Sequence, residues 1–146
     1  MAKAKPEKLN SNLSSISGEY LVAGKLSSMG YIVTLTRKNT DNIDILVANK
    51  DATKTACIQV KTSQQKRNIW VLGEKNEVLK SKYLYYVFVR LNNDNPPDFY
   101  IVKSAEVAEA VLKRNKEFLA GGGVENKFRE FSPTDKSKDN WKILGL

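Results

Sequence analysis

The sequence has 146 residues, of which 41% are hydrophobic and 27% are charged. This length fits one domain with a substantial hydrophobic core, and no apolar run approaches the roughly 18 residues that a membrane-spanning helix needs. The chain has no histidine and only one cysteine, which excludes Ser-His-Asp hydrolysis, histidine-based metal nucleases and zinc sites of the Cys/His type. Catalysis would therefore depend on carboxylates, lysines and a hard metal ion.

The charge balance is strongly positive, with 24 lysine and arginine residues against 16 aspartate and glutamate residues and a net charge of +8. Such an excess favours polyanionic partners, above all nucleic acid. A basic protein without such a partner is the alternative. A cytoplasmic location is expected, because no apolar segment of signal-peptide type follows the basic start of the chain.

The N-terminal part is predicted to contain a tail and one helix. Residues 1–11 are polar, and we expect a mobile basic N-terminus there. A single domain over residues 12–146 follows. Its first helix is predicted over Leu13–Met29, with Ser14 or Ser15 as the N-cap and a glycine directly after its end.

Three β-branched segments come next and predict three strands. They lie at 31–37, 42–48 and 55–62, and short polar turns separate them. This spacing predicts an antiparallel meander. A short strand or sheet edge is predicted at 70–72, and the stretch 74–82 is ambiguous.

The C-terminal half is predicted to add two strands and a helix. The apolar run at 83–91 indicates a central strand, and a second strand follows at 99–103. A helix then begins with Ser104 as its cap and ends in the AGGG stretch. The polar tail is expected to dock through Trp141, Ile143 and Leu144. This order of elements predicts an α/β fold in which helices pack on a mixed sheet.

Asp44 interrupts the apolar segment NIDILVA. Strand propensity disfavours an aspartate there, and an unpaired carboxylate is costly to bury. Because side chains alternate along a strand, Asp44 is expected on the face opposite to Ile43 and Ile45. The alternative is an aspartate at the strand edge, bonded to a turn or a lysine.

Gln59 and Lys61 are predicted to share one face of the segment CIQVKT, opposite to Ile58 and Val60. Lysine is seldom fully buried without a partner, so these two side chains are expected to converge with Asp44 from the neighbouring strand. For the pair alone, an amphipathic strand with a solvated face is the alternative.

Glu19 lies in the apolar stripe of the first helix, surrounded on a helical wheel by Ile16, Val22, Ala23 and Leu26. A carboxylate in the middle of such a stripe needs a partner or a function. The alternative is a glutamate that reaches past the edge of the stripe to a lysine.

Along the chain these positions read Glu19, Asp44 and then Gln59-Val60-Lys61, with 14 residues between Asp44 and Gln59. A helix followed by a three-strand meander, with Asp on the second strand and (Glu/Asp/Gln)-x-Lys on the third, resembles the PD-(D/E)XK nuclease superfamily. The likeness covers residues 12–65 and is strongest to the Holliday-junction-resolvase and Mrr-type restriction branches, which also place a Glu in the first helix. It implies a restriction-endonuclease-like mixed β-sheet flanked by helices.

The resemblance also implies a role for each position. Asp44 would be the principal metal-binding carboxylate, Gln59 the second ligand and the Val60 backbone carbonyl the third. Lys61 would orient or activate the attacking water, and Glu19 would complete the site. The expected cofactor is Mg²⁺ or Mn²⁺, because hard cations prefer oxygen ligands. Gln59 departs from the commoner Glu or Asp, and its neutral amide is a weaker ligand.

We predict two basic patches that contact phosphates or base edges of DNA. The loop after the third strand supplies one, and the turn before Asp44 supplies the other. The candidate residues are Gln64, Lys66, Arg67, Arg37 and Lys38. A solubilising loop is the alternative for the first patch. Tyr83, Tyr85 and Tyr86 are expected to be core and sheet residues and not a stacking surface.

The sequence thus predicts a metal-dependent DNA endonuclease that hydrolyses phosphodiester bonds, with DNA as its partner. The alternative, which Gln59 favours, is a nucleic-acid-binding module on the same fold with weak or no cleavage. A protein-interaction or immunity-type domain is a third interpretation. The resemblance makes a homodimer one expected assembly.

Overall fold

The computed structural model describes residue 4, residues 7–37 and residues 40–146. The helices and strands in chain order are α1 (Ser11–Ser28), β1 (Ile32–Leu35), β2 (Ile45–Ala48), β3 (Thr55–Ser63), β4 (Trp70–Gly73), β5 (Leu84–Arg90), β6 (Asp98–Lys103), α2 (Ser104–Ala120) and β7 (Phe128–Phe131). Short 3-10 helices lie at Glu74–Glu77, Asp135–Ser137 and Trp141–Leu144. Neither helix of the described part is long and apolar enough to cross a membrane.

The central sheet has five strands in the order β1-β2-β3-β5-β6. Its first three strands form the predicted antiparallel meander. Strands β3 and β5 run parallel, whereas β5 and β6 run antiparallel, so the sheet is mixed. Strand β5 is buried along most of its length, as its apolar run indicated. The predicted α/β fold, with helices flanking a mixed sheet, is confirmed.

Each face of the sheet carries its own hydrophobic core. On one face, Val22 and Leu26 of α1 pack with Ile45 and Ile58. On the other face, the core joins α2, β5 and a small two-stranded sheet of β4 and β7. Its members include Val107, Val111, Trp70, Tyr86, Phe88 and Phe131. Gln59 and Lys61 are paired in register with Tyr86 and Phe88, so they project on this second side.

The first helix begins at Ser11 because Asn10 is its N-cap. The Asn10 side-chain oxygen accepts a hydrogen bond from the Leu13 amide at 2.9 Å, which satisfies one of the free amides of the first turn. The predicted caps, Ser14 and Ser15, lie inside the helix, and that prediction is wrong. Residues 1–3 and 5–6, which belong to the predicted mobile N-terminus, lie outside the described residues.

The second helix also differs at its start. Its N-cap is Lys103, and the Ser104 hydroxyl, predicted to cap the helix, contacts the loop before β5. It accepts from the Ser81 amide and donates to the Ser81 carbonyl, both at 2.9 Å. In the tail, Trp141 and Leu144 are buried against the first core, as predicted.

Candidate active site

The sequence suggested that Asp44 lies inside the second strand, but it lies one residue before β2. Its amide donates to the Ile58 carbonyl at 2.8 Å, but its carboxylate Oδ2 then accepts from the Val60 amide at 2.7 Å. Asn42, two residues earlier, has a φ of 63°, so the backbone before Asp44 does not continue as an extended strand. The carboxylate therefore takes the place of a backbone acceptor at the end of the β2–β3 ladder, and this bond fixes its position beside β3.

Gln59 and Lys61 line one cavity together with Asp44 and Glu19. Gln59 is 6% exposed, and its Oε1 has no hydrogen-bond partner among the described residues. Lys61 is half-buried. Leaving a buried amide oxygen without a partner costs about 1–3 kcal/mol, so we expect water, a metal ion or another ligand to bind it.

This site cavity has a volume of about 710 Å³ and lies between the start of α1, the second half of β3 and strand β4. Other polar groups on its wall come from α1 and the segment before it, from the end of β3 and from the loop after β3: Lys8, Ser11, Ser14, Ser15, Thr62, Ser63, Gln64 and Gln65. The structure thus brings all the positions proposed for metal binding and catalysis to one cavity. Their metal-binding and catalytic roles stay predictions.

The electrostatics of the cavity shift three titratable groups. Burial raises the pKa of Asp44, while the bond from Val60 and the charges of Lys61 and Lys75 oppose part of that rise. Burial raises the pKa of Glu19, and the charge of Asp44 adds to this. Burial lowers the pKa of Lys61, Lys75 lowers it further, and Asp44 opposes both. Perturbed groups that share one cleft are typical of functional sites.

A glycine sets how closely α1 approaches β3. A Cβ atom on Gly18 would overlap the hydroxyl oxygen of Thr62, so the helix can lie this close to the strand only with glycine at that position. Glu19 is the next residue and lines the cavity. The role of Gly18 could not be predicted from the sequence, because a single glycine within a helix gives no sign of what it contacts.

The loop after β3 differs from the prediction at Gln64. The Leu9 amide donates to Gln64 Oε1, and Gln64 Nε2 donates to the Leu9 carbonyl, both at 2.9 Å. This side chain therefore fastens the segment before α1 to the end of β3, and its role in DNA contact stays a prediction. Lys66 and Arg67 are exposed, and their role in DNA contact stays a prediction.

The second predicted patch lies partly outside the described residues, because Lys38 is not among them. Arg37 is exposed and lines a smaller cavity of about 380 Å³ with Glu19 and Asp44. Its role in DNA contact stays a prediction.

Lys75 was missed by sequence analysis, although its charge acts on both Asp44 and Lys61. It lies in the 3-10 helix that follows β4, where the sequence pattern was ambiguous. The neighbouring Asn76 is fully buried, accepts from the Gly73 amide at 2.9 Å and donates to the Tyr86 hydroxyl at 2.5 Å. This anchor holds the turn that carries Lys75. In the sequence, the only local indication of this turn is an asparagine three residues after a glycine.

The donor set of the site is compatible with a hard divalent cation. In the described part of the chain, no group of three or more histidine, cysteine, aspartate or glutamate side chains is placed to hold a metal ion. Asp44 and Glu19 supply two carboxylates, and Gln59 supplies an amide oxygen that has no other described partner. Oxygen donors of these kinds suit Mg²⁺ and Mn²⁺. This donor set carries less negative charge than a set of three carboxylates.

No protein-family model and no curated protein sequence matches this chain. Its structure is similar to the solved structure of a bacterial homing endonuclease, I-Ssp6803I, with a TM-score of 0.56 at 12% sequence identity. The match covers 92% of this chain and 91% of that chain. The likeness therefore extends over nearly the whole of both chains and shows a common fold.

Proposed function

We propose that this chain is a metal-dependent DNA endonuclease of the PD-(D/E)XK type. The observation that carries the proposal is the convergence of Glu19, Asp44, Gln59 and Lys61 on one cavity of a basic protein. The fold shared with a homing endonuclease adds support. Hydrolysis of a phosphodiester at such a site requires no histidine.

In this proposal, Asp44, Gln59 and the Val60 carbonyl hold Mg²⁺ or Mn²⁺, and Glu19 completes the site. When bound, the cation would polarise a phosphoryl oxygen and lower the pKa of a water ligand. Lys61 orients the attacking water and places positive charge where the phosphoryl group gains negative charge. The hydrogen bond from the Val60 amide keeps the Asp44 carboxylate in position throughout.

A nucleic-acid-binding module without cleavage is the second candidate. It is favoured by the neutral Gln59 and by the lack, in the described residues, of three acidic or other ligating side chains around one point. Such a module would keep the salt-dependent affinity for DNA that a charge of +8 favours, but it would leave the phosphodiester intact.

The variant Asp44→Asn tests the proposal. Asparagine retains an oxygen that accepts from the Val60 amide, so the fold is kept while the charge is lost. Asp51→Asn, in an exposed turn, is the matched control. We expect wild type and the control to cut labelled duplex, branched or single-stranded DNA with Mg²⁺ or Mn²⁺ and not with EDTA. Asp44→Asn should cut at least about a hundredfold more slowly and bind DNA as wild type does.

Two results would contradict the proposal in different ways. If wild type binds these DNAs but cuts none of them with either metal, the binding module is the correct function. If wild type cuts and Asp44→Asn cuts equally fast, the active site lies elsewhere.

A further inference from the structure

A second cavity lies at the opposite end of β3, where β3, β5 and α2 all begin. Its volume is about 910 Å³. Four exposed lysines line this lysine cavity: Lys54, Lys80, Lys82 and Lys103. No carboxylate side chain is among its lining residues, and none of the four lysines forms an ion pair within the described ranges. Their positive charge is therefore not neutralised locally.

An exposed aromatic ring lies among these lysines. Tyr83 was expected to be a core or sheet residue, but it lies just before β5 and is 59% exposed, so that prediction is wrong for this tyrosine. The Lys82 ammonium lies 5.5 Å from the centre of the Tyr83 ring. Lysines beside an accessible ring form a surface that contacts phosphates and stacks on a nucleic-acid base.

The start of α2 adds to the positive potential of the cavity. Its N-cap, Lys103, makes no side-chain capping bond, and the Ser104 hydroxyl is occupied by Ser81. The partial positive charge of the helix N-terminus acts in the same direction as the lysines, and Glu106 in the first turn of α2 offsets part of it.

We propose that the lysine cavity binds the phosphate backbone of DNA outside the cleavage site, on the same DNA molecule that occupies the site cavity. This role rests on the proposed function. Thr55 lines the lysine cavity and Lys61 lines the site cavity, and their separation along β3 is about 20 Å at about 3.3 Å per residue. That length corresponds to about six base pairs of duplex. DNA would thus be held at two places along one strand of the sheet.

The test compares duplexes of about 4 base pairs, closed by a hairpin loop, and about 20 base pairs, because about 4 base pairs span only about 14 Å and only the longer duplex reaches both cavities. The triple variant Lys54→Gln, Lys82→Gln, Lys103→Gln is measured beside a control that loses the same charge elsewhere. The control replaces three exposed lysines of α2 and the tail: Lys113→Gln, Lys116→Gln and Lys136→Gln. Binding is measured over a series of salt concentrations, and cleavage is measured at saturating DNA.

We expect wild type and the control to bind the longer duplex more tightly than the shorter one. The triple variant should lose this gain, with about tenfold weaker binding of the longer duplex at about 100 mM salt. Its salt slope should fall by about 0.9 for each phosphate that the protein no longer neutralises. The cleavage rate at saturation and the melting temperature should not change.

If the triple variant gains as much affinity with duplex length as the control does, this inference is wrong, but the proposed endonuclease function is not contradicted. An equal loss of affinity for both duplexes would also overturn the inference, because the lysines would then act at the cleavage site. If wild type binds neither duplex at about 50 mM salt, the proposed function itself fails.

Discussion

The two ends of β3 differ in how far their lysine side chains are exposed to solvent. At the end that carries Gln59 and Lys61, a few polar groups are buried or half-buried, and two of their atoms, Gln59 Oε1 and Thr62 Oγ1, have no hydrogen-bond partner among the described residues. At the end that carries Lys54, the lysines are exposed and surround an exposed tyrosine. The same strand thus connects a site of positioned, partly desolvated groups to a surface of solvated cations.

In the proposed function, this difference separates catalysis from affinity for DNA. Charges that act on a transition state are most effective when they are fixed and shielded from water, and burial at the site end also shifts the pKa values of Asp44, Glu19 and Lys61. Affinity for DNA comes mainly from counterion release by many exposed cations and requires little positioning. Substitutions at the two ends should therefore affect different measured quantities.

The largest effect is expected for Lys61→Met. The cleavage rate at saturating DNA should fall by about a hundredfold to ten-thousandfold, because the amine acts on the water and on the developing charge. The dissociation constant for DNA should change by less than about threefold, since one of many cations is lost. Single-turnover cleavage and titration of DNA without metal measure the two quantities.

Lys54→Met is the matched control at the other end of β3. It should leave the rate at saturation unchanged and should weaken binding slightly. If Lys61→Met weakens DNA binding and leaves the rate at saturation intact, the two ends of the strand do not differ as proposed.

The next largest effect tests how the site end is held together. Gly18→Ala should lower the free energy of unfolding by about 1–3 kcal/mol, because its methyl group overlaps Thr62. Adding Thr62→Ala, which removes the overlapping oxygen, should restore part of this loss, and a double-mutant cycle measures the coupling. Urea unfolding gives the values.

Gly24→Ala provides the control within the same helix. No atom lies within 4 Å of a Cβ built on Gly24, so this change should raise stability by about 0.5–1 kcal/mol through helix propensity alone. Equal effects of the two substitutions would show that the close approach of α1 to β3 at Gly18 has no energetic weight.

The sequence predicted the meander, and marked Asp44, Gln59 and Lys61 as candidates, because both depend on local alternation of polar and apolar residues. Asp44, Gln59 and Lys61 are recognisable as polar residues in strand-like segments. The exact end of β2 was not predictable, because the Asp44 side chain replaces a backbone acceptor there. No sequence pattern distinguishes a carboxylate that ends a ladder from one that lies within it.

Strand β7 was missed because an arginine occupies one of its two inward positions. Arg129 is 5% exposed and forms an ion pair with Glu77. It also donates to the carbonyls of Asn126 and Phe128 at 2.7 and 2.9 Å. These partners satisfy the buried guanidinium, but they come together only in the folded chain. The exposure of Tyr83 and the position of Lys75 depend in the same way on tertiary packing.

The smallest effect is expected for Gln59→Glu, which adds a carboxylate to the site end with almost no change in size. If Gln59 is a metal ligand, Mg²⁺ should bind about tenfold more tightly, since a carboxylate is a stronger ligand for a hard cation than an amide. Without metal, the new charge faces Asp44 and Glu19, so the melting temperature in EDTA should fall below that of wild type. Saturating Mg²⁺ should restore it.

Gln65→Glu is the control for charge alone, because Gln65 lines the same cavity but is exposed. Calorimetric titration with Mg²⁺ and with Mn²⁺, together with melting curves in EDTA, compares the three proteins without any measurement of cleavage. The control should differ little from wild type. If Gln59→Glu binds Mg²⁺ no more tightly than Gln65→Glu does, Gln59 is not a ligand, and the buried amide oxygen must be satisfied by water or by DNA. That outcome would favour the binding module over the endonuclease.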